Sequence, residues 1–451
     1  MTLAQPATRP ASETRTEPAT PDLRAVAGSS VNAPANAAAP SDAGHAAHPA
    51  AHAAELPARA RLIPPADPLA AADALAADLA RTAVERDRAG GHAAAERDLI
   101  RASGLLTLSV PTAFGGAGSD WPTIFDTLRR VARADSALGH VYGFHHLQIA
   151  GLFLYGDEDQ QALWLRRTIE HGLFWGNALN PLDKRTVATD TPEGFTLHGS
   201  KTFCSGSVGS DALTLSAWHP PTDSLLIGVL PTRRAGITVN ADWDAFGQKQ
   251  TDSGTVDFDH VRIAHDEVTQ KPGIVATPWS TLRSCIAQLV MANLYTGIAE
   301  GAFAAATGYS RDRARPWFAS GVAASLDDPF IQRRYGELWS LLRPAQVLSD
   351  LAARKLQDVL DLGPALVTAA HRGDIAVAVA EAKVCAHRAA LEIGTQIFDI
   401  TGASATSARN GFDRYWRNAR VHTLHDPLDY KLRDLGRYAT TGRVPDPTAY
   451  S

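Results

Sequence analysis

Cysteine is scarce in this 451-residue chain: Cys204, Cys285 and Cys385 are odd in number, far apart and without a CxxC pair. That argues against a disulfide framework and a cysteine zinc site, and it fits a protein of the reducing cytoplasm. No strongly basic run occurs, and 43 Lys and Arg against 48 Asp and Glu leave a net charge of −5. Nucleic acid is therefore not an expected partner. No apolar run reaches the roughly 18 to 20 residues of a membrane span, and the basic, leucine-rich opening of a secretory signal is absent, so no membrane is expected. Missing too is the dinucleotide fingerprint. No GxGxxG follows a strand and opens a helix, and Gly115, Gly116 and Gly118 punctuate a loop.

Aromatic residues are absent and apolar β-branched residues few in residues 1–62, which are rich in Ala and Pro. Such a segment cannot bury enough apolar surface to order itself and reads as a disordered tail. His45, His48 and His52 within it read as polar spacing.

Three domains are expected after the tail. Residues 63–175 carry helical spacing, as in Leu69, Ala72, Leu75, Leu79 and Ala83, with Gly104 stopping a later helix. Residues 176–278 switch to short alternating runs between Pro, Gly and Asp turns, the pattern of a small antiparallel β domain. From 279 to 451 the helical period returns in long segments, as in a four-helix bundle. The fold class is α+β.

Chemistry concentrates near the end, in RVHTLHDP at 420–427. Two imidazoles, His422 and His425, lie beside Asp426 in a turn-forming segment, and histidine donates hydrogen bonds or changes charge near neutral pH. A surface helix cap is the plainer alternative for these eight residues, since Asp is a favoured N-cap. His140 and His145, in GHVYGFHHL at 139–147, are separated by about 500° on a helix. They do not share a face as a metal pair would, and no metal site is expected.

The strings SGLLTLSVPTAFGG at 103–116, GSKTFCSG at 199–206 and RNAR at 417–420 resemble the acyl-CoA dehydrogenase fold over about residues 66–451. VERDRAGG at 84–91, QTDSG at 250–254, GFDRYWRN at 411–418 and TLHDP at 423–427 resemble more closely its reduced-flavin monooxygenases that oxidise dibenzothiophene at sulfur. The resemblance implies a homotetramer that uses O2 and FMN as FMNH2, supplied by a separate NAD(P)H:FMN reductase, to oxygenate the sulfur of a small apolar thioether or thiophene. It implies a flavin C4a-hydroperoxide on the way.

By the same resemblance, His425 is the donor and proton source on the peroxide side, with His422 as its neighbour or alternative. Ser205 contacts flavin N5, Phe203 packs beside the ring, and Asn177 in WGNA at 175–178 reaches the flavin. His140, His145 and Phe144 line the substrate pocket. Phe144 stands where the dibenzothiophene enzymes carry tyrosine, so the substrate itself stays open. Ser404, Thr406 and Ser407 in TGASATS at 401–407 suit a flavin phosphate, with Arg283 as a cation across a subunit boundary.

Three alternatives remain at this point. An acyl-CoA dehydrogenase would bind FAD and use Asp426 as base, although that position wants the longer glutamate, and about Met291 to Gly297 offers no carboxylate. A hydroxylase of nitrogen or carbon on the same scaffold is the second. A non-catalytic tetrameric binding protein is the third.

Overall fold

Asp67 opens the first described helix by accepting the Leu69 and Ala70 N–H groups with its carboxylate in a computed structural model that describes residues 56–451. That helix, α1 (Pro68–Ala80), breaks at Arg81 and Thr82 before α2 (Ala83–Ala89), where one continuous helix is expected. The expected tail lies outside the described residues as far as 55. Residues 56–62 depart from that expectation: Leu56 and Leu62 are buried, and the Leu62 N–H donates to Ile169 O at 2.8 Å. Composition cannot show that two leucines in an Ala/Pro-rich stretch will find an apolar groove.

Helix α3 (Ala94–Ala102) ends before Gly104, which is left-handed at φ 74°. A Cβ there would sit 2.2 Å from Ile63 O, so only glycine fits. Helices α4 (Trp121–Ala134), α5 (Ser136–Tyr155) and α6 (Glu158–Glu170) follow. Asp135 divides α4 from α5 with an extended backbone. Its carboxylate caps Ala137 and Leu138 N–H and pairs with Arg86 at 2.6 Å. Helix α5 is buried on nearly every face, which makes it a core element that can carry side chains into an enclosed site.

The strands β1 (Trp175–Ala178), β2 (Val187–Thr191), β3 (Gly194–Lys201), β4 (Ala212–His219), β5 (Ser224–Pro231), β6 (Ile237–Val239), β7 (Val256–Ala264) and β8 (Val268–Gln270) form one sheet. The order is β6-β7-β3-β2-β4-β5-β8, with β1 added on β4. Most pairs are antiparallel, as expected, but β1 runs parallel to β4 and β2 meets β4 in parallel at Val187 and Trp218. The sheet buries its own apolar core, including Leu197, Leu213, Leu215 and Phe258.

Three long helices dominate the rest: α7 (Leu282–Asp312), α8 (Pro329–Leu360) and α9 (Ala369–Thr401). The shorter α10 (Asp413–Thr423) and α11 (Leu428–Thr441) complete the bundle. Length and composition alone would let α7 cross a membrane, but most of its apolar residues are buried inside the protein. It is the central helix, packed against α4, α5, α8 and α9.

Candidate active site

Helix α5 places His140 and Phe144 four residues apart, on one face, with ring centroids 4.0 Å apart. His422 comes to the same place from the last turn of α10, its ring 4.5 Å from that of His140 and edge-on to it. Buried positions on α10 recur at Tyr415, Asn418, Ala419 and His422, a helical stripe that faces inward. One turn below the two imidazoles, Asn418 Nδ2 donates to Ser136 Oγ at 2.9 Å, and Asn418 Oδ1 accepts the Gln248 N–H at 2.7 Å. These contacts set the two helices and a loop of the β domain in register. On α7, Tyr295 donates its hydroxyl to His422 O at 2.8 Å.

Both His140 nitrogens and His422 Nδ1 are buried without a hydrogen-bond partner among the described residues. An unpaired buried polar atom costs about 1 to 3 kcal/mol, so this cluster suits a ligand that carries acceptors or donors of its own. Burial, reinforced by the neighbouring imidazoles of His422 and His425, holds His140 well below the ordinary histidine range. Burial and then His425 push His422 down to about 3. Both are neutral near pH 7, each with one N–H to donate and one nitrogen to accept.

Helix α10 runs through Thr423, so His422 is helical and only the residues after it form the expected turn. The His425 N–H donates to His422 O at 3.0 Å, and its ring packs edge-on to Tyr450 at 5.2 Å. His425 is exposed on one side yet lodged among protein groups on the others, and desolvation followed by Lys383 pushes it down to about 4. Asp426 is buried. Its Oδ2 lies 2.8 Å from Lys383 Nζ and 3.4 Å from Lys431 Nζ, with Gln288 also bonded to Lys383. A carboxylate held between two ammonium groups is an anchor for the turn and poorly suited to be the base of a dehydrogenase.

The β domain supplies the facing wall. Phe203 adopts φ 58° and is 63% exposed, which is unusual for a large apolar side chain next to the fully buried Cys204. Such a backbone conformation costs about 1 to 3 kcal/mol and turns the ring outward while Cys204 enters the core. The turn is clamped to residues 251–254: Cys204 N donates to Gly254 O at 3.0 Å and Gly206 N to Thr251 O at 2.8 Å. Ser205 Oγ joins Ser253 Oγ at 2.9 Å, which joins Thr251 Oγ1 at 2.8 Å. Asn177 N donates to Ser205 O at 2.9 Å, so these two sit together. A Cβ on Gly206 would lie 3.7 Å from Val141 Cγ1, which puts this turn against α5 beside His140.

One assignment from the sequence does not survive. His145 faces away from His140 and His422: its Nδ1 accepts the Trp175 N–H at 3.2 Å and its Nε2–H reaches Leu106 O at 2.9 Å. It is a fully bonded core histidine, on a different side of α5 from His140. Arg283 and the 401–407 loop do not meet within one chain. Ser404 Oγ bonds Tyr309 Oη at 2.8 Å near the far end of α7, about 39 Å along the helix from Arg283. Arg283 instead donates to Gln148 Oε1 at 3.2 Å, while Thr406 Oγ1 donates to Ala403 O at 2.6 Å. Ser404, Thr406 and Ser407 are exposed.

The sequence reading missed Ser136, Asn418, Tyr295, Lys383 and Lys431. Only the inward stripe on α10 carried a signal, for Asn418. The others become neighbours through packing between helices distant in the chain.

Family models match at residues 69–171, acyl-CoA dehydrogenase, N-terminal domain, and at 289–430, acyl-CoA dehydrogenase, C-terminal domain. A probable FMNH2-dependent monooxygenase of Pseudomonas putida is 47% identical, over 86% of this chain and 98% of that protein. The solved methanesulfinate monooxygenase of Pseudomonas fluorescens is 45% identical with a TM-score of 0.84, over 85% of this chain and all (100%) of that one. The FMN-bound dibenzothiophene monooxygenase of Paenibacillus sp. A11-2 is 38% identical with a TM-score of 0.81, over 85% and 100%.

Proposed function

Since the chain belongs to the FMNH2-dependent monooxygenases built on the acyl-CoA dehydrogenase fold, we propose that it transfers one oxygen atom from O2 to sulfur in a small organosulfur compound. A separate NAD(P)H:FMN reductase supplies the reduced flavin, and the working form is a homotetramer in the reducing cytoplasm. Reduced FMN, when bound, provides the electrons by which one atom of O2 goes to substrate and the other leaves as water.

The observation that carries the proposal is the enclosed pair His140–His422 with three unpartnered ring nitrogens, set beside the Ser205 turn. Ser205 Oγ and Asn177 would face the polar edge of the flavin, and the outward ring of Phe203 would cover its apolar face. His422 and His425 would hold N–H donors towards the oxygen being transferred. Desolvation and then Lys383 lower His425 to about 4, so its imidazole is neutral near pH 7. Its role in this reading is therefore that of a neutral hydrogen-bond donor. Phe144, packed against His140 at a tilt, keeps water from the same space.

A thioether or thiophene is the substrate class read from the resemblance. A small sulfinate is the second reading, favoured by the higher identity to the methanesulfinate enzyme than to the dibenzothiophene enzyme. The test is a coupled assay with a flavin reductase, NADH and FMN under ¹⁸O2, offering dibenzothiophene, a dialkyl sulfide and methanesulfinate. One ¹⁸O in a product of any of them supports the proposal. Failure of all three to gain oxygen, with flavin reduction intact, overturns it.

A further inference from the structure

Away from this site, His198 on β3 and Asp259 and His260 on β7 converge on the surface. The pairing of β3 with β7 slips between Leu197 and Gly199: Leu197 faces Val261 and Gly199 faces Phe258, so the single residue His198 opposes both Asp259 and His260. This is a β-bulge, which breaks strict alternation and re-aims side chains. Leu197, Phe258 and Val261 stay buried beneath it, while all three polar side chains are exposed. His260 takes a left-handed backbone, φ 51°, and the Asp259 N–H is tied to Gly236 O at 2.8 Å.

The result is a compact donor set. Asp259 Oδ1 lies 2.7 Å from His260 Nδ1 and 3.6 Å from His198 Nδ1, the two rings are 4.6 Å apart, and one donor atom from each residue falls within 4.8 Å of the others. Two imidazoles and a carboxylate are the ligand types of zinc and neighbouring divalent ions. A metal at about 2.0 to 2.2 Å from each ligand needs only small side-chain rotations here, and exposed side chains make them freely. We propose that His198, Asp259 and His260 form a surface site for a zinc-class divalent cation, with solvent completing its coordination. The bound ion would pin β3 to β7 across the bulge.

The experiment is calorimetric titration of Zn²⁺ into the full-length, untagged chain. One Zn²⁺ per chain is expected, lost in His198→Asn/His260→Asn and kept in His45→Asn/His48→Asn/His52→Asn, which removes the tail histidines. Zn²⁺ should raise the thermal midpoint of the wild type and not of the His198→Asn/His260→Asn chain. The proposal is overturned if no saturable binding occurs below about 1 mM, or if the bound equivalent persists in that double variant or disappears in the tail variant.

Discussion

His425 is exposed, so its truncation leaves the core intact and reads out chemistry. Losing one oriented donor at a site of developing charge typically costs about 10²- to 10³-fold in rate. His425→Ala should lose that much oxygenated product while NADH is still consumed; product at the wild-type rate would remove His425 from the chemistry. Asp426 behaves differently, because it is buried between Lys383 and Lys431. Asp426→Ala leaves two buried ammonium groups facing each other, and breaking such a pair costs about 3 to 5 kcal/mol. Chemical denaturation of the variant should show that loss, and an unchanged midpoint would mean the pair contributes nothing. Burial already lowers Lys383 to about 8 against the Asp426 attraction, a sign of how costly that ammonium is to enclose.

Acid stability follows from the same residues. Burial holds His422 near 3, and desolvation of the covered side of the ring together with Lys383 holds His425 near 4, below the unfolded value of 6.5. Between those limits the unfolded chain binds protons that the folded one refuses, so unfolding becomes easier as pH falls. The stability these groups contribute is fully present above about pH 6.5 and is lost as pH falls towards 3 to 4. Calorimetric melting should give a lower midpoint at pH 5 than at pH 7, by less in His422→Phe. An equal acid shift in both chains would contradict the burial of this imidazole in a neutral state.

Among the elements, α5 and α10 matter most, because His140 and His422 meet where they touch. Asn418 joins them by reaching both Ser136 Oγ and the Gln248 N–H. Asn418→Ala leaves those groups unpaired, for about 1 to 3 kcal/mol of stability, and lets His422 drift relative to His140. Turnover should fall more than apparent substrate affinity; a variant with wild-type turnover and the expected loss in stability would make Asn418 purely structural. The helical spacing of α4 to α9 was readable because apolar residues recur at the helix period. The break between α1 and α2 was not, since nothing in Arg81 and Thr82 forbids a helix. The outward turn of Phe203 was likewise hidden: in sequence it resembles any strand aromatic, and only the clamp from residues 251–254 holds its left-handed backbone.

For the whole molecule, the described contacts join residues 56–451, and composition gives residues 1–55 little with which to add to that core. Deleting residues 1–55 should leave the melting midpoint and the number of chains per particle unchanged. Light scattering should give four chains per particle, and a monomer would refute the assembly proposed. Trp317, Phe318 and Phe330 are large apolar side chains left exposed on the single chain, which is consistent with a surface that other copies cover.

The amino-acid sequence by itself determined the class of helices and strands and the strings that point to a reduced-flavin oxygenase, because periodicity and contiguous motifs are local properties. Only the tertiary structure decided which histidines act together. His140 and His422 are far apart in the chain and meet through helix packing, whereas His145, five residues from His140, faces a different wall. It also decided that Asp426 is locked by two lysines, and that a one-residue slip between β3 and β7 gathers His198, Asp259 and His260. Burial and register between distant segments set each of these outcomes, and neither is written in any single stretch of sequence.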